Sequence, residues 1–155
     1  MRFFILVLIL LTGPPALADS VQPRDGWVVE PTDKPFDALL GDLRAAVREN
    51  GMAVVTQAGP TGAAAQRGII IPQNRVVGVF NNVFAVRILD ASVSAMIEAP
   101  VRFYLTEEND GVATLSYKKP TFVFAPYALD AGPDLMLAAS ELDAVFAAIA
   151  ADAIQ

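Results

Sequence analysis

Residues 100–120 read PVRFYLTEENDGVATLSYKKP, and this stretch decides the fold. Val101, Phe103 and Leu105 alternate with Arg102, Tyr104 and Thr106, the two-residue period of a strand with one apolar and one polar face. Asn109-Asp110-Gly111 follows as a turn signal, because glycine accepts the positive φ that a tight hairpin needs. Val112 to Tyr117 alternates again, so the stretch predicts an antiparallel hairpin. Pairing its strands places Thr114 and Ser116 on the same face as Arg102, Tyr104 and Thr106. Lys118-Lys119-Pro120 then bends the chain away.

Working outward, Arg75 to Phe80 is a further strand, and Val83 to Ser94 is a helix with Phe84, Ile88, Ala91 and Ala95 on one face. Asn81-Asn82 stands at the junction, where an Asn side chain can accept an orphan helix N–H. Trp27 to Glu30 and Met52 to Gln57 are two more strands. Between them Thr32-Asp33-Lys34-Pro35 reads as a helix start with an Asp cap. Phe36, Leu39, Leu40, Leu43 and Val47 supply that helix's apolar stripe, and Asn50-Gly51 ends it. Ala58 to Gly68 is Gly- and Ala-rich and holds at most a short helix around Ala63 to Arg67. Thr121 to Phe124 is read as one more strand. Pro133 starts a last helix along Leu135, Ala138, Leu142, Val145 and Ile149. Consecutive antiparallel strands interleaved with helices predict an α+β fold: a single two-layer domain, with a curved antiparallel sheet of about five or six strands and helices packed on one face. The other face meets water, a ligand or a second subunit.

The amino-terminal segment reads as an address. Arg2 precedes the apolar run Phe3 to Leu11, and Ala16-Leu17-Ala18 is a small-x-small cleavage site, so residues 1–18 are expected to be a signal peptide. The run is too short to span a bilayer, which takes about 20 apolar residues, and no stable membrane insertion is expected after cleavage. Residues 19–26 are then a flexible tail and 27–155 the domain, exported to the periplasm.

Composition narrows the chemistry. With 54% hydrophobic residues, the chain can build a core without metal or disulfides. It has no Cys and no His, which excludes thiol nucleophiles, thiolate zinc sites, Ser-His-Asp triads and imidazole ligands. A net charge of −6 argues against nucleic acid, whose readers need a basic footprint. No metal site, cofactor or catalytic residue is assigned. Glu107-Glu108-Asn109-Asp110 lacks the spacing of a calcium loop and reads as an acidic turn. Phe122, Phe124 and Tyr127 read as core or as the wall of an apolar pocket.

Two places remain for a ligand. At the Asn81-Asn82 turn, helix N–H groups and Arg87 would hold a carboxylate or phosphate. On the open sheet face, Arg102 and Tyr104 would hold an anionic or aromatic ligand or form a dimer seam.

The stretch 75–120 with its flanks resembles the domain of unknown function 302 family. The resemblance rests on VVGVFNNVFAVRIL followed by EAPVRFYLTEENDGVATLSYKKP. Asn82 stands at the family's turn Asn, Pro100 at its strand-opening Pro, Gly111 at its hairpin Gly, and Tyr117 with Pro120 at its closing pair. GMAVVTQ and GAAAQRGI resemble its second strand and its Ala-rich helix. Val83 replaces the family's usual Pro, Asn81 the Gly of many members, and Thr61-Gly62 stands where many carry a His. The resemblance implies a fold similar to the TATA-binding-protein-like one, and homodimers; it carries no settled activity. The resulting expectation is an exported, non-catalytic domain that binds a small molecule or a periplasmic protein. Its alternatives are a cofactor-free enzyme using Tyr104, Tyr117 or a carboxylate as acid or base, and a structural homodimer.

Overall fold

A computed structural model describes residues 20–155. The expected signal peptide, 1–18, lies outside the described residues. Around the predicted hairpin, now β4 (Val101–Glu107) and β5 (Val112–Lys118), three further strands assemble. They are β1 (Trp27–Pro35), β2 (Ala53–Ala58) and β3 (Asn74–Phe80). The sheet order is β1-β5-β4-β3-β2, and every neighbouring pair is antiparallel. The helices are α1 (Phe36–Glu49), α2 (Thr61–Gln66), α3 (Asn82–Ala91), α4 (Pro120–Phe124) and α5 (Pro133–Ile154). Short 3-10 turns occupy Ser94–Glu98 and Ala125–Tyr127. This is a two-layer α+β domain, as the alternation of strands and helices requires.

The alternating pattern sorts β4 as expected. Val101, Phe103 and Leu105 are buried against the helices, joined by Val77 and Val79 from β3 and Ala113, Leu115 and Tyr117 from β5. Helix α5 is the spine of the other layer and touches α1, α3 and α4. Its Phe146 stacks on Phe103, with ring centroids 4.5 Å apart, while Tyr117 meets Phe103 edge-on at 5.2 Å. This aromatic trio fastens α5 to the middle of the sheet by burial and ring geometry together.

Local expectations are corrected at three places. The chain does not turn helical at Thr32 or Asp33: β1 continues to Pro35, across a register shift after Pro31. Thr32 Oγ1 donates to the Ala113 carbonyl at 2.6 Å, so this hydroxyl serves the sheet. Helix α1 begins at Phe36 without a side-chain cap. It ends as expected, with Gly51 at φ 72° after Asn50, a conformation that a Cβ would strain.

Thr121 to Phe124 is helix and not strand, which leaves the sheet at five strands. Pro120 occupies the first turn, and Asp143 of α5 takes the place of a local cap. Its carboxylate accepts from the Thr121 N–H at 2.9 Å and from Thr121 Oγ1 at 2.6 Å. Helix α3 stops at Ala91 rather than Ser94, because Ser92 is extended (φ −161°, ψ 113°) and its Oγ accepts from the Ala95 N–H to start the 3-10 turn. No helix among the described residues is long and apolar enough to cross a membrane.

Candidate functional site

At the Asn81 turn the side chain serves the backbone. The N–H groups of Val83 and Phe84 donate to Asn81 Oδ1 at 2.8 and 3.3 Å, and Asn81 Nδ2 donates to the Gly51 carbonyl at 2.8 Å. The side chain therefore caps α3 and ties it to the end of α1. Asn82 is exposed at the first helical position. Arg87 turns to α5, where its guanidinium donates to both oxygens of Glu141 at 2.6 and 2.9 Å. That pairing lowers the Glu141 carboxyl pKa and raises that of Arg87. Asn81 and Arg87 thus direct their polar groups to partners within the fold.

The open face of the sheet is different. The strand register lays its side chains in rows. One row runs Val29, Ser116, Tyr104, Val76 and Ala58, and the next Pro31, Thr114, Thr106 and Asn74. The same register carried one step past the Phe103–Tyr117 pair sets Arg102 opposite Lys118, with Trp27 beyond Lys118 and Gly78 beyond Arg102. Ser116 and Thr114 are 0% and 3% exposed although they face away from the helices, so the middle of this face is recessed between taller neighbours. Ser116 Oγ donates to the Tyr104 carbonyl at 3.3 Å.

A groove of about 1000 Å³ is lined by Tyr104 and Val76 of this face, by Arg102 and Lys118 at the end of β4 and β5, and by α4. Val76, Tyr104 and Trp27 contribute its sheet side, Phe122, Val123 and Pro126 its far wall, and Arg102 and Lys118 its cations. Trp27 lies under two positive groups: Arg24 Cζ is 5.1 Å and Lys118 Nζ 5.3 Å from the ring centroid. Phe122 rests directly on Gly26, where an added Cβ would come within 2.1 Å of the ring. Gly26 also has φ 75°, so close approach and backbone both demand glycine.

Glu98 supplies the groove's acidic side chain. Its Oε1 accepts from the Tyr127 hydroxyl at 2.7 Å, and its Oε2 lies 4.0 Å from Arg102 Nη2. The hydrogen bond raises the Tyr127 phenol pKa. Tyr117 reaches the groove from the helix side of the sheet and is 5% exposed. Burial, with Glu30 and Asp143 nearby, pushes its phenol pKa up, so it gives up its proton less readily than a free tyrosine.

Of the residues the sequence singles out, the groove gathers Arg102, Tyr104 and Tyr117. The aromatic cluster after the hairpin divides: Phe124 is core, Phe122 is groove wall, and Tyr127 holds Glu98. Sequence reasoning missed Trp27, Lys118 and Glu98. Lys118 shares the parity of Thr114 and Ser116, a signal that was present; Trp27 and Glu98 arrive through strand order and a 3-10 turn, which carry none. In the acidic hairpin the carboxylates serve local structure, Glu107 accepting from the Gln73 N–H at 2.7 Å and Asp110 from the Val112 N–H at 3.3 Å.

The family model for Domain of unknown function DUF302 matches residues 28–151. The fold is similar to that of an uncharacterized conserved DUF302 protein from Bacillus stearothermophilus, known from a crystal structure. The TM-score is 0.73 over 85% of this chain and 100% of that one, at 18% sequence identity. A search of curated proteins found no match. With nearly the whole of the two-layer domain inside the match, this chain belongs to the DUF302 family.

Proposed function

We propose that this is an exported protein that holds a small molecule in the open-face groove without converting it. One observation carries the reading: apolar walls and two cations, Arg102 and Lys118, line one groove of about 1000 Å³. Ligand sites are concave, mostly apolar and furnished with a few convergent polar groups, with volumes of about 300–1,000 Å³. The groove offers little for acid–base chemistry. Glu98 is engaged by Tyr127 and Arg102, and the Tyr117 phenol holds its proton tightly. Export rests on the leader read in residues 1–18.

Native mass spectrometry of the chain recovered from the periplasm of its own host tests this. The expected result is a species heavier than the processed chain by one small molecule, lost on Tyr104→Ala. A chain found in the cytosol with residues 1–18 attached overturns export. A bare mass in both proteins overturns retention of a ligand, and a bare dimer moves the weight to the assembly reading.

A further inference from the structure

We infer that the ligand of this groove is an organic anion with a flat apolar body, its charge on the Arg102–Lys118 row and its body against Trp27 and Tyr104. The inference rests on the binding reading above and adds the chemical class. Carrying the β4–β5 register one step past its last pair, Phe103–Tyr117, sets Arg102 and Lys118 opposite each other on one side of the sheet, and both line the groove; like charges so placed destabilise a sheet unless a counter-charge is present. The chain carries 17 acidic side chains against 11 basic ones, so carboxylates were available to supply it. Among the described residues only Glu98 comes within 4.0 Å of Arg102, and no carboxylate comes that close to Lys118. Lys118 instead lies 5.3 Å from the Trp27 ring centroid.

Two cations with a single carboxylate, Glu98, in reach of only Arg102, beside aromatic walls, form a half-completed charge site. A carboxylate, sulfonate or phosphate would complete it, and the planar guanidinium of Arg102 suits such oxygens by presenting paired donors. A cationic ligand would meet repulsion from both side chains. Glu98 competes with the ligand for Arg102 from inside the protein, so its contact is the one that binding displaces.

Trp27 is the only tryptophan of the chain, and its emission reports on the groove directly. The purified chain would be titrated with 8-anilinonaphthalene-1-sulfonate and with N-phenyl-1-naphthylamine, which shares the ring system but lacks the sulfonate. The anion is expected to bind at least about tenfold tighter, the scale of a charge-assisted hydrogen bond. Arg102→Gln should remove most of that advantage and leave the neutral probe unchanged. Arg102 has 56% of its side chain exposed, so the change does not reach the core. Glu98→Gln should tighten the anion by removing its competitor, whereas a merely structural Glu98 would leave the ratio of the two probes unmoved. Equal binding of both probes by the parent chain overturns the anion class and leaves the groove reading standing. Binding of neither overturns both, and an anion preference that survives Arg102→Gln overturns the assignment of the charge site.

Discussion

The two faces of β4 lie on one strand and follow different rules. Toward the helices, Phe103 and Leu105 are completely buried within the hydrophobic core. Toward the open side, Arg102 is exposed and Tyr104 and Thr106 are half-buried, in a mixed company of hydroxyls, cations and aromatic rings. The first face is answerable to packing, where almost any polar substitution fails. The second is free of that demand, since an antiparallel sheet can leave one side wet. On the proposed binding reading, the two cations and the tryptophan placed there answer to a ligand and not to packing.

If the faces are independent, the deepest change on one should be silent on the other. Phe146→Ala empties the space stacked on Phe103 and should lower stability by about 3–5 kcal/mol, read from urea unfolding. At a temperature where the variant is still folded, probe affinity in the groove should match the parent. A folded variant with lost affinity would show that the helix layer shapes the groove, and the contrast between the faces would fail.

Asn81→Ala sharpens the comparison at the rival site. It removes the acceptor for two helix N–H groups and the tie to Gly51, and should cost about 1 kcal/mol, the usual worth of an Asn cap. Affinity for the anionic probe should be unchanged. Unchanged stability with lost affinity would transfer the ligand from the groove to the α3 turn.

These contrasts mark how far the sequence could be read. The hairpin, the stripe of α1 and the facing of Arg102 and Tyr104 were legible because burial imposes a period on neighbouring residues. Thr32–Pro35 and Thr121–Phe124 were misread because their partners are remote: Thr32 answers to Ala113, and Thr121 to Asp143. A proline beside a polar residue looks alike at a helix start and a strand end until such a partner is known. The groove was half legible for the same reason. Arg102 and Tyr104 announce themselves by alternation within β4, but Trp27 joins them only because β1 pairs with β5 at the sheet edge, and Glu98 because the 3-10 turn carries it back over β4.

Tyr117 sits where the two faces meet, with its ring in the aromatic trio and its surface at the groove's end, and it predicts the smallest effect. Its phenol pKa is raised above the ordinary 10.0, first by burial and then by the charges of Glu30 and Asp143. For an acid whose folded pKa is raised, the fold favours the protonated form. That contribution is fully present below the unfolded pKa of about 10 and is lost as pH rises through it toward the folded value. Tyr117→Phe cannot ionise, so between pH 8 and pH 11 its stability should fall less than the parent's, while at pH 8 the two differ little. The difference between the two slopes isolates this phenol from every other alkaline titration, including that of Tyr127 beside Glu98. Parallel slopes would mean that water reaches the Tyr117 hydroxyl through the groove. The boundary between packed and open faces would then pass inside the aromatic trio rather than at its edge.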